Sequence, residues 1–488
     1  MSDLDNRLKP IIAINDIDLD VNDLDGDILP VRELSIKWGA NDWFEDYEPA
    51  ILKLNLLETN GIWQDWAGTE KANITVRVNP TPDSELYIFR GQVTQVEASP
   101  LKITRNNHQE TVWEVQIEAT DPLGAMARDR RRGYVYPLLG NGKPEGYHWA
   151  GGTNKDRRKA LDERCPVPIM WQKMMLDEND DLRDTGVLAV GTCAGYEHTQ
   201  TVSALTVLRN TARMIHLLAR PAYDPVNHRV IFFRPSGSGR YSRNWKNYPA
   251  GEKTHVAGSD IRVLSGTACI GKPVLSLSPT NQVNRLEIEV RGEGAELVER
   301  RPGAPREKVW RSASENYVLT AFGADKNESQ STLQITTDYS LGWHFGEYLE
   351  QLQGQGALRV LLRNLQGRRV PQPFTVKLKT NADVEKIGAD LAFRFLTPFI
   401  HLRTNGLTQQ PYFINESLLN YRGVTDIFAI CGGEIRFTNS SGWLVTPTPT
   451  ATPQYLESAN AYLRDLESST AIKDIDNSET ITDWERLG

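Results

Sequence analysis

Alternation of apolar and polar residues with a period of two is the strongest pattern in this chain. Leu34-Ser35-Ile36-Lys37-Trp38 shows it first, and residues 113–119 show it last. The segments between them that alternate in the same way are Leu52–Leu56, Ile74–Val78, Leu86–Phe89 and Val93–Val96. Because successive side chains of a strand point to opposite faces, the pattern predicts five or six short, half-buried strands. So many short strands in one region predict an antiparallel barrel or sandwich.

The region after this β-rich segment has a different pattern. Thr120 or Asp121 can cap a short helix, with Pro122 in its first turn. Apolar residues at three- and four-residue spacings predict a longer helix from Thr201 to Ala219, and Val230–Phe233 is typical of a buried strand. The sequence therefore predicts a small α+β unit, placed at residues 131–274.

A second β-rich region follows. Asn284–Val290 and Phe374–Leu378 alternate clearly, and Glu307–Arg311 can pair with the former across a turn. Further strands are predicted at Tyr412–Glu416, Ile427–Cys431 and Glu434–Phe437, with one helix at Leu341–Gln353. The segment Leu358–Leu362 fits either a strand or an extension of that helix.

Charge separates the two ends of the chain from its body. Residues 1–27 carry eight acids and two bases, and residues 454–488 carry eight acids and three bases, whereas the residues between them have a net charge of +3. A body so close to neutrality argues against nucleic-acid binding driven by electrostatics. The basic clusters Arg128–Arg132 and Arg157–Lys159 fit a solvated surface better than a phosphate site.

The ends also differ in composition. Residues 1–27 are interpreted as an acidic arm. Alternating threonine and proline at 446–453 predicts an extended spacer, followed by an acidic tail in which Trp484 could anchor a docking peptide. The start lacks an apolar segment typical of a secretory signal, and no run of 18 apolar residues predicts a membrane helix. Four widely spaced cysteines suit synthesis in a reducing cytosol.

Candidate chemistry is sparse. Gly191–Gly195 places Cys193 in a pattern like a nucleophile elbow, with His198 or His216 as the nearest bases in sequence, but a structural loop is the favoured interpretation. The acids of residues 16–27 fail the order of a calcium-binding loop and better suit a solvated edge strand. No catalytic residue, metal ligand or cofactor is assigned. The tryptophans that could line a sugar groove are Trp38, Trp43, Trp63 and Trp66, although core packing explains Trp38 equally well.

The order of these elements resembles the tail-hub (baseplate-hub) family of minor tail proteins from long-tailed bacteriophages. The motifs that carry the resemblance are Trp38-Gly39, Tyr47–Ala50, Asn60-Gly61, Phe89–Val93, Ile117–Leu123, Val202–Phe233 and Thr280–Leu286. Together they span most of residues 28–440, whereas the spacer and tail lie outside the shared pattern.

The resemblance implies a mainly β fold with α+β insertions and two tail-tube-like barrels, at 28–130 and 275–445. It also implies a non-enzymatic homotrimeric hub that joins a sixfold tail tube to threefold tip proteins, in a virion assembled in the bacterial cytoplasm. Expected partners are a distal tail protein or tube ring, a tape-measure protein, tip or fibre proteins docked through 454–488, and genomic DNA that passes without specific binding. The alternatives are a carbohydrate-binding tail-tip protein and, less favoured, a cell-wall hydrolase or cysteine peptidase.

Overall fold

The computed structural model is mainly β, which confirms the predicted fold class. It describes residues 4–19, 28–41, 45–58, 61–66, 72–105, 108–132, 149, 152–171, 192–193, 201–215, 220–233, 253–256, 259–271, 275–276, 283–298, 307–322, 331–337, 370–398, 412–415 and 428–451. None of the helices described within these ranges is both long and apolar enough to cross a membrane.

The strands are numbered in chain order. In the first half they are β1 (Ile11–Ile14), β2 (Ile17–Leu19), β3 (Ile28–Gly39), β4 (Glu48–Glu58), β5 (Asn73–Thr81), β6 (Ser84–Arg105), β7 (His108–Thr120), β8 (Arg130–Arg132), β9 (Gly152–Thr153), β10 (Thr192–Cys193), β11 (Thr201–Ser203), β12 (Arg220–Asp224) and β13 (Arg229–Phe233). In the second half they are β14 (Lys253–Val256), β15 (Ser259–Ser265), β16 (Cys269–Ile270), β17 (Leu275–Ser276), β18 (Val283–Val298), β19 (Glu307–Phe322), β20 (Ser331–Thr337), β21 (Val370–Pro371), β22 (Thr375–Leu378), β23 (Tyr412–Asn415), β24 (Phe428–Thr438) and β25 (Gly442–Ala451).

The described helices are short. They are α1 (Trp63–Trp66), α2 (Pro122–Arg128), α3 (Asn154–Asp162), α4 (Ala204–Ile215), α5 (Asn381–Ile387) and α6 (Ala389–Phe395), with 3-10 turns at Asn6–Leu8 and Gly266–Ala268. Of the two predicted caps, Thr120 and Asp121, the side chain of Asp121 caps α2. The predicted helix at 201–219 begins instead at Ala204, after a three-residue strand.

One large sheet joins strands from both β-rich regions. Its main order is β14-β15-β23-β24-β3-β4-β7-β6-β5-β1-β2, and β25 pairs with the other side of β24 and with β22. The pairing of β3 with β24 aligns Leu34 with Phe437 and Ile36 with Ile435, and all four side chains are buried. Residues 428–451, most of which were expected in the second barrel, therefore belong to the same sheet and core as residues 28–58.

The junction between β3 and β24 depends on close backbone approach. Gly39 has a φ of +80°, and Ala40 donates a 2.9 Å backbone hydrogen bond to Cys431. A Cβ atom at Gly39 would collide with the carbonyl oxygen of Cys431, and one at Gly432 would collide with that of Ala40. Only glycine satisfies both the positive φ and this contact at residue 39.

Residues 4–19, the described part of the predicted acidic arm, pack with the core. Leu8 and Ile12 are fully buried, and β1 pairs with β5. The backbone N–H of Asp5 donates a 2.9 Å hydrogen bond to Lys379, directly after β22. This contact brings the β1 end of the sheet against the β22 end, so the sheet curls around one core. Asp18, the one acid of β2, does lie on an edge strand, as predicted: its side chain is exposed and pairs with Arg77 at 2.8 Å.

The prediction of an extended spacer at 446–453 is wrong for residues 446–451. Residues 446–451 form the second half of β25 and pair with β24 along their length. Pro447 and Pro449 are two residues apart, so their nitrogens, which lack a hydrogen, face the same edge of the strand. β22 pairs with this edge of β25 only as far as Val445. Beyond that point the edge is formed by Pro447 and Pro449, which have no N–H group to donate.

A second core lies in the predicted α+β unit. Leu123 and Met126 of α2 pack with Leu205 and Leu208 of α4 and with Phe232 of β13. The hairpin β12–β13 turns at Asp224, whose side chain accepts hydrogen bonds from the backbone of Val226 and Asn227. This unit is called the accessory unit below, defined as the described residues between 122 and 233.

Three other strands of the second region form a separate sheet, and β17 pairs with β21 apart from it. β18 lies between β19 and β20. The predicted pairing of Asn284–Val290 with Glu307–Arg311 is wrong in register: Arg285–Val290 pair with Tyr317–Phe322, and Glu307–Trp310 pair with Ala295–Val298. The predicted elements at 341–353 and 358–362, and the acidic tail at 454–488, lie outside the described residues.

Candidate functional site

The outward face of the large sheet is a broad polar surface. We call it the polar face and define it by Glu33, Ser35 and Lys37 of β3, Lys53 and Asn55 of β4, Gln95 and Glu97 of β6, Glu114, Gln116 and Glu118 of β7, and Glu434 and Arg436 of β24. It follows directly from the alternation in the sequence, because the residues between them turn inward and are mostly buried. A depression of about 420 Å³ occupies its centre.

The charges of the polar face are mixed, with more carboxylates than cations. Lys53 lies 3.5 Å from Glu118 across neighbouring strands, and Arg436 lies 2.7 Å from Glu434. The face carries five carboxylates and three cations. Arg32, which is not part of the face, forms a 2.9 Å ion pair with Glu114. A surface of this composition gives a polyanion no excess of positive charge to bind.

Asp121 connects the sheet to the accessory unit. Its carboxylate accepts hydrogen bonds from the backbone N–H groups of Ala50 (2.9 Å) and Gly124 (3.2 Å), so it holds the start of β4 and caps α2 together. Burial away from water raises the pKa of this carboxyl to about 7, against the opposing effect of the backbone donors. The proton affinity of one buried group is thus coupled to the contact between these two elements.

A charged cluster makes the second contact between the two parts. Arg209 of α4 donates a 3.1 Å hydrogen bond to Glu48 and lies 3.9 Å from Asp46. Arg220 of β12 is almost fully buried and lies 3.5 Å from Asp46. The loop before β4 therefore receives two guanidinium groups from the accessory unit. The sequence does not indicate this cluster, because more than 160 residues separate its two sides and no local pattern marks them.

Of the residues considered for cysteine chemistry, the structure describes only Cys193. Cys193 lies on the two-residue strand β10, paired with Gly152 of β9. The candidate bases His198 and His216 fall outside the described residues. Within the described part of the chain, no group of three or more His, Cys, Asp or Glu side chains is placed to hold a metal ion.

The tryptophans considered for sugar binding mostly belong to the core. Trp38 and Trp66 are buried, and Trp63 is half-buried against Trp113, with ring centroids 5.6 Å apart. Core packing, the alternative interpretation of Trp38, is confirmed. Trp43 lies outside the described residues.

No protein-family model matches the chain, and no curated protein matches it. Among solved structures, the chain is similar to the tail protein from Neisseria meningitidis MC58 (9% identity, TM-score 0.42, covering 90% of this chain and 95% of that one). It is also similar to the 43 kDa tail protein of prophage MuSo2 from Shewanella oneidensis (10% identity, TM-score 0.42, covering 91% and 98%). A third is the E. coli c3393 protein, a type VI secretion component described as structurally similar to the T4 tail proteins gp27 and gp5 (9% identity, TM-score 0.36, covering 91% and 78%).

Proposed function

We propose that this chain is a structural, non-enzymatic component of a phage tail tip. In this proposal it forms a trimeric hub that joins the sixfold tail tube to threefold tip proteins and lines part of the channel through which DNA leaves the particle. The proposal is consistent with the order of motifs in the sequence, and one structural observation supports it most directly: the polar face.

The composition of the polar face suits a channel wall. A wall that contacts moving DNA must not release counterions from the phosphates, since that release is what makes DNA adhere. Carboxylates outnumber cations on this face, and Lys53 is engaged by the neighbouring Glu118. Its side chains are held by strands of one continuous sheet, so the surface is rigid as well as polar.

The oligomeric state is the first test. Full-length protein at high concentration is analysed by size-exclusion chromatography with light scattering, and a trimer of 54.9 kDa chains is expected at about 165 kDa. A strict monomer would contradict the ring. Electron microscopy of intact particles with a label on this chain tests the location, since a label found anywhere but the tail tip would contradict the proposed role.

A further inference from the structure

A groove of about 1010 Å³ lies where the polar face meets the first helix of the accessory unit. Four parts of the chain form its walls: the end of β3 with the residues that follow it, the start of β4 with the loop before it, neighbouring parts of β6 and β7, and α2. We call it the junction groove and define it by the lining residues on which its chemistry depends, namely Lys37, Asp46, Glu48, Ile51, Glu118 and Arg128.

The junction groove contains an exposed apolar side chain. Ile51 is 38% exposed, although it belongs to a strand of the large sheet. The strand register places Lys37 of β3 on one side of it and Thr120 of β7 on the other. Two half-buried residues, Pro49 and Ala127, add apolar surface to the lining. A partner side chain that covered Ile51 would remove this surface from water.

The four carboxylates that line the groove are engaged within the protein. Asp46 and Glu48 belong to the charged cluster described above, where arginines of the accessory unit approach them. Glu118 lies 3.5 Å from Lys53, and Glu45 accepts a 3.0 Å hydrogen bond from the backbone N–H four residues earlier. Their charge is therefore compensated from inside the protein.

The two cations that line the groove have no such compensation. Lys37 and Arg128 are exposed, and neither forms an ion pair with a carboxylate in the described part of the chain. Glu434, the acid opposite Lys37 on the neighbouring strand, is engaged by Arg436 at 2.7 Å. Because Ile51 lies between Lys37 and the strand that leads into α2, the groove presents an apolar surface between two available cations.

We propose that the junction groove binds an acidic segment of a partner protein, whose apolar side chain contacts Ile51 and whose carboxylates meet Lys37 and Arg128. Two strand spacings of about 4.8 Å separate Lys37 from the strand that leads into α2, and the seven residues of α2 span about 10 Å. In an extended peptide, alternate side chains share a face, and carboxylates four residues apart are about 13 Å apart. The order acid, any residue, apolar residue, any residue, acid therefore fits the groove. The inference does not depend on the proposed role in a phage tail.

An acidic peptide suits the junction groove better than a nucleic acid does. A nucleic acid carries a phosphate at every residue, and some of these would lie beside the carboxylates of Glu48 and Glu118. A peptide can place neutral or apolar residues opposite those carboxylates. Stacking of single-stranded bases also requires exposed aromatic rings, and Trp38, the one aromatic residue among the described residues that line the groove, is buried.

Fluorescence anisotropy of a labelled synthetic peptide tests the proposal on the full-length protein. The peptide is Asp-Ser-Leu-Ser-Glu flanked by glycines, and saturable binding with a dissociation constant below about 1 mM is expected. Lys37→Glu/Arg128→Glu should weaken binding at least about tenfold, because two attractions become repulsions. Ile51→Thr, which keeps a β-branched residue in the strand, should weaken it about threefold through loss of apolar contact. At about 1 M NaCl, where the screening length falls to about 3 Å, binding should also weaken.

A peptide of opposite charge provides the matched control. Lys-Ser-Leu-Ser-Lys should not bind the wild type, but it should bind Lys37→Glu/Arg128→Glu, which also shows that this variant folds. Lys102→Glu/Lys377→Glu makes the same change in net charge at exposed positions outside the groove, and it should leave binding of the acidic peptide unchanged.

Three results would overturn the proposal. The first is no saturable binding of the acidic peptide by the wild type up to about 1 mM. The second is an equal loss of binding in Lys37→Glu/Arg128→Glu and Lys102→Glu/Lys377→Glu, which would show a general effect of charge. The third is displacement of the peptide by an equal concentration of a DNA duplex of about 20 base pairs, which would assign the groove to a nucleic acid.

Discussion

The indole N–H of Trp443 donates a 2.6 Å hydrogen bond to the backbone carbonyl of Leu8, and both residues are fully buried. The bond links β25 to the N-terminal 3-10 turn, across 435 positions of sequence. It therefore fixes the point at which the two ends of the curled sheet meet.

Trp443→Phe should lower the free energy of unfolding by about 1–3 kcal/mol, because the carbonyl of Leu8 is left buried without its donor. Urea denaturation followed by circular dichroism measures the loss. Trp63→Phe is the matched control, since the indole nitrogen of Trp63 has no hydrogen-bond partner among the described residues. Equal losses in the two variants would show that ring packing, and not the hydrogen bond, is responsible.

Gly39→Ala should destabilise the protein by about 2–4 kcal/mol more than Gly271→Ala does. Both glycines have a φ near +80°, so both substitutions incur the same backbone strain of roughly 1–2 kcal/mol. At Gly39 the new methyl group also collides with the backbone of Cys431, whereas at Gly271 no atom of the described residues lies within 4 Å. Thermal unfolding of the pair tests the argument, which fails if the two variants behave alike.

The protonation of Asp121 should affect stability between about pH 4 and 7. Its pKa in the folded protein is raised from 3.8 to about 7, so the native state holds a proton that the unfolded state releases. The resulting stability is fully present below about pH 4 and is lost as the pH rises through about 7, at up to about 1.4 kcal/mol per pH unit.

Urea unfolding of the wild type and Asp121→Asn across this pH range measures that contribution. The difference in unfolding free energy between them should change with pH in the stated direction. The exposed Glu110→Gln serves as the control for loss of an acid. A difference that is constant with pH would contradict the assignment.

Asp46→Asn should loosen the contact between the sheet and the accessory unit. Arg220 is almost fully buried beside Asp46, and loss of the opposing charge leaves its guanidinium less compensated, at a cost of about 1–3 kcal/mol because Asp46 itself is partly exposed. Hydrogen exchange should accelerate in α4 more than in β4. Uniform acceleration would indicate global destabilisation and contradict a local effect.

Reversing charge on the polar face tests the proposed channel. In Glu33→Lys/Glu97→Lys/Glu118→Lys, the face gains a positive excess, so the protein should bind duplex DNA at low salt where the wild type does not. Gel shift at 50 mM salt measures this. The control Glu85→Lys/Glu110→Lys/Glu163→Lys makes the same net change at exposed positions elsewhere. If both variants bind equally, the face has no special role.

Local features of the fold were predictable from the sequence. Asp121 and Pro122 mark the start of α2 because a helix cap acts within three residues. The strands β3, β4 and β7 were visible because burial of one face imposes alternation. The capping box of α5, formed by Thr380 and Asp383, was an available signal that sequence analysis missed.

Long-range pairing was not predictable in the same way. Nothing near Ile36 indicates that its strand pairs with the one containing Ile435, because alternation specifies a face and not a partner. The prolines at 447 and 449 favour a spacer when composition alone is considered. Composition does not show that proline is tolerated in a strand whose other edge carries the backbone hydrogen bonds. The cluster of Asp46, Arg209 and Arg220 likewise exists only after folding.

The placement of β24 between β3 and β25 has a consequence for biosynthesis. Strand β3 emerges early from the ribosome, yet its neighbour is synthesised some four hundred residues later, which at about 5–20 residues per second is a delay of about 20–80 s. During that interval one edge of β3 has no native partner, and an unpaired edge invites association with other chains. Nascent copies of this protein should therefore depend on protection by chaperones until translation reaches residue 451.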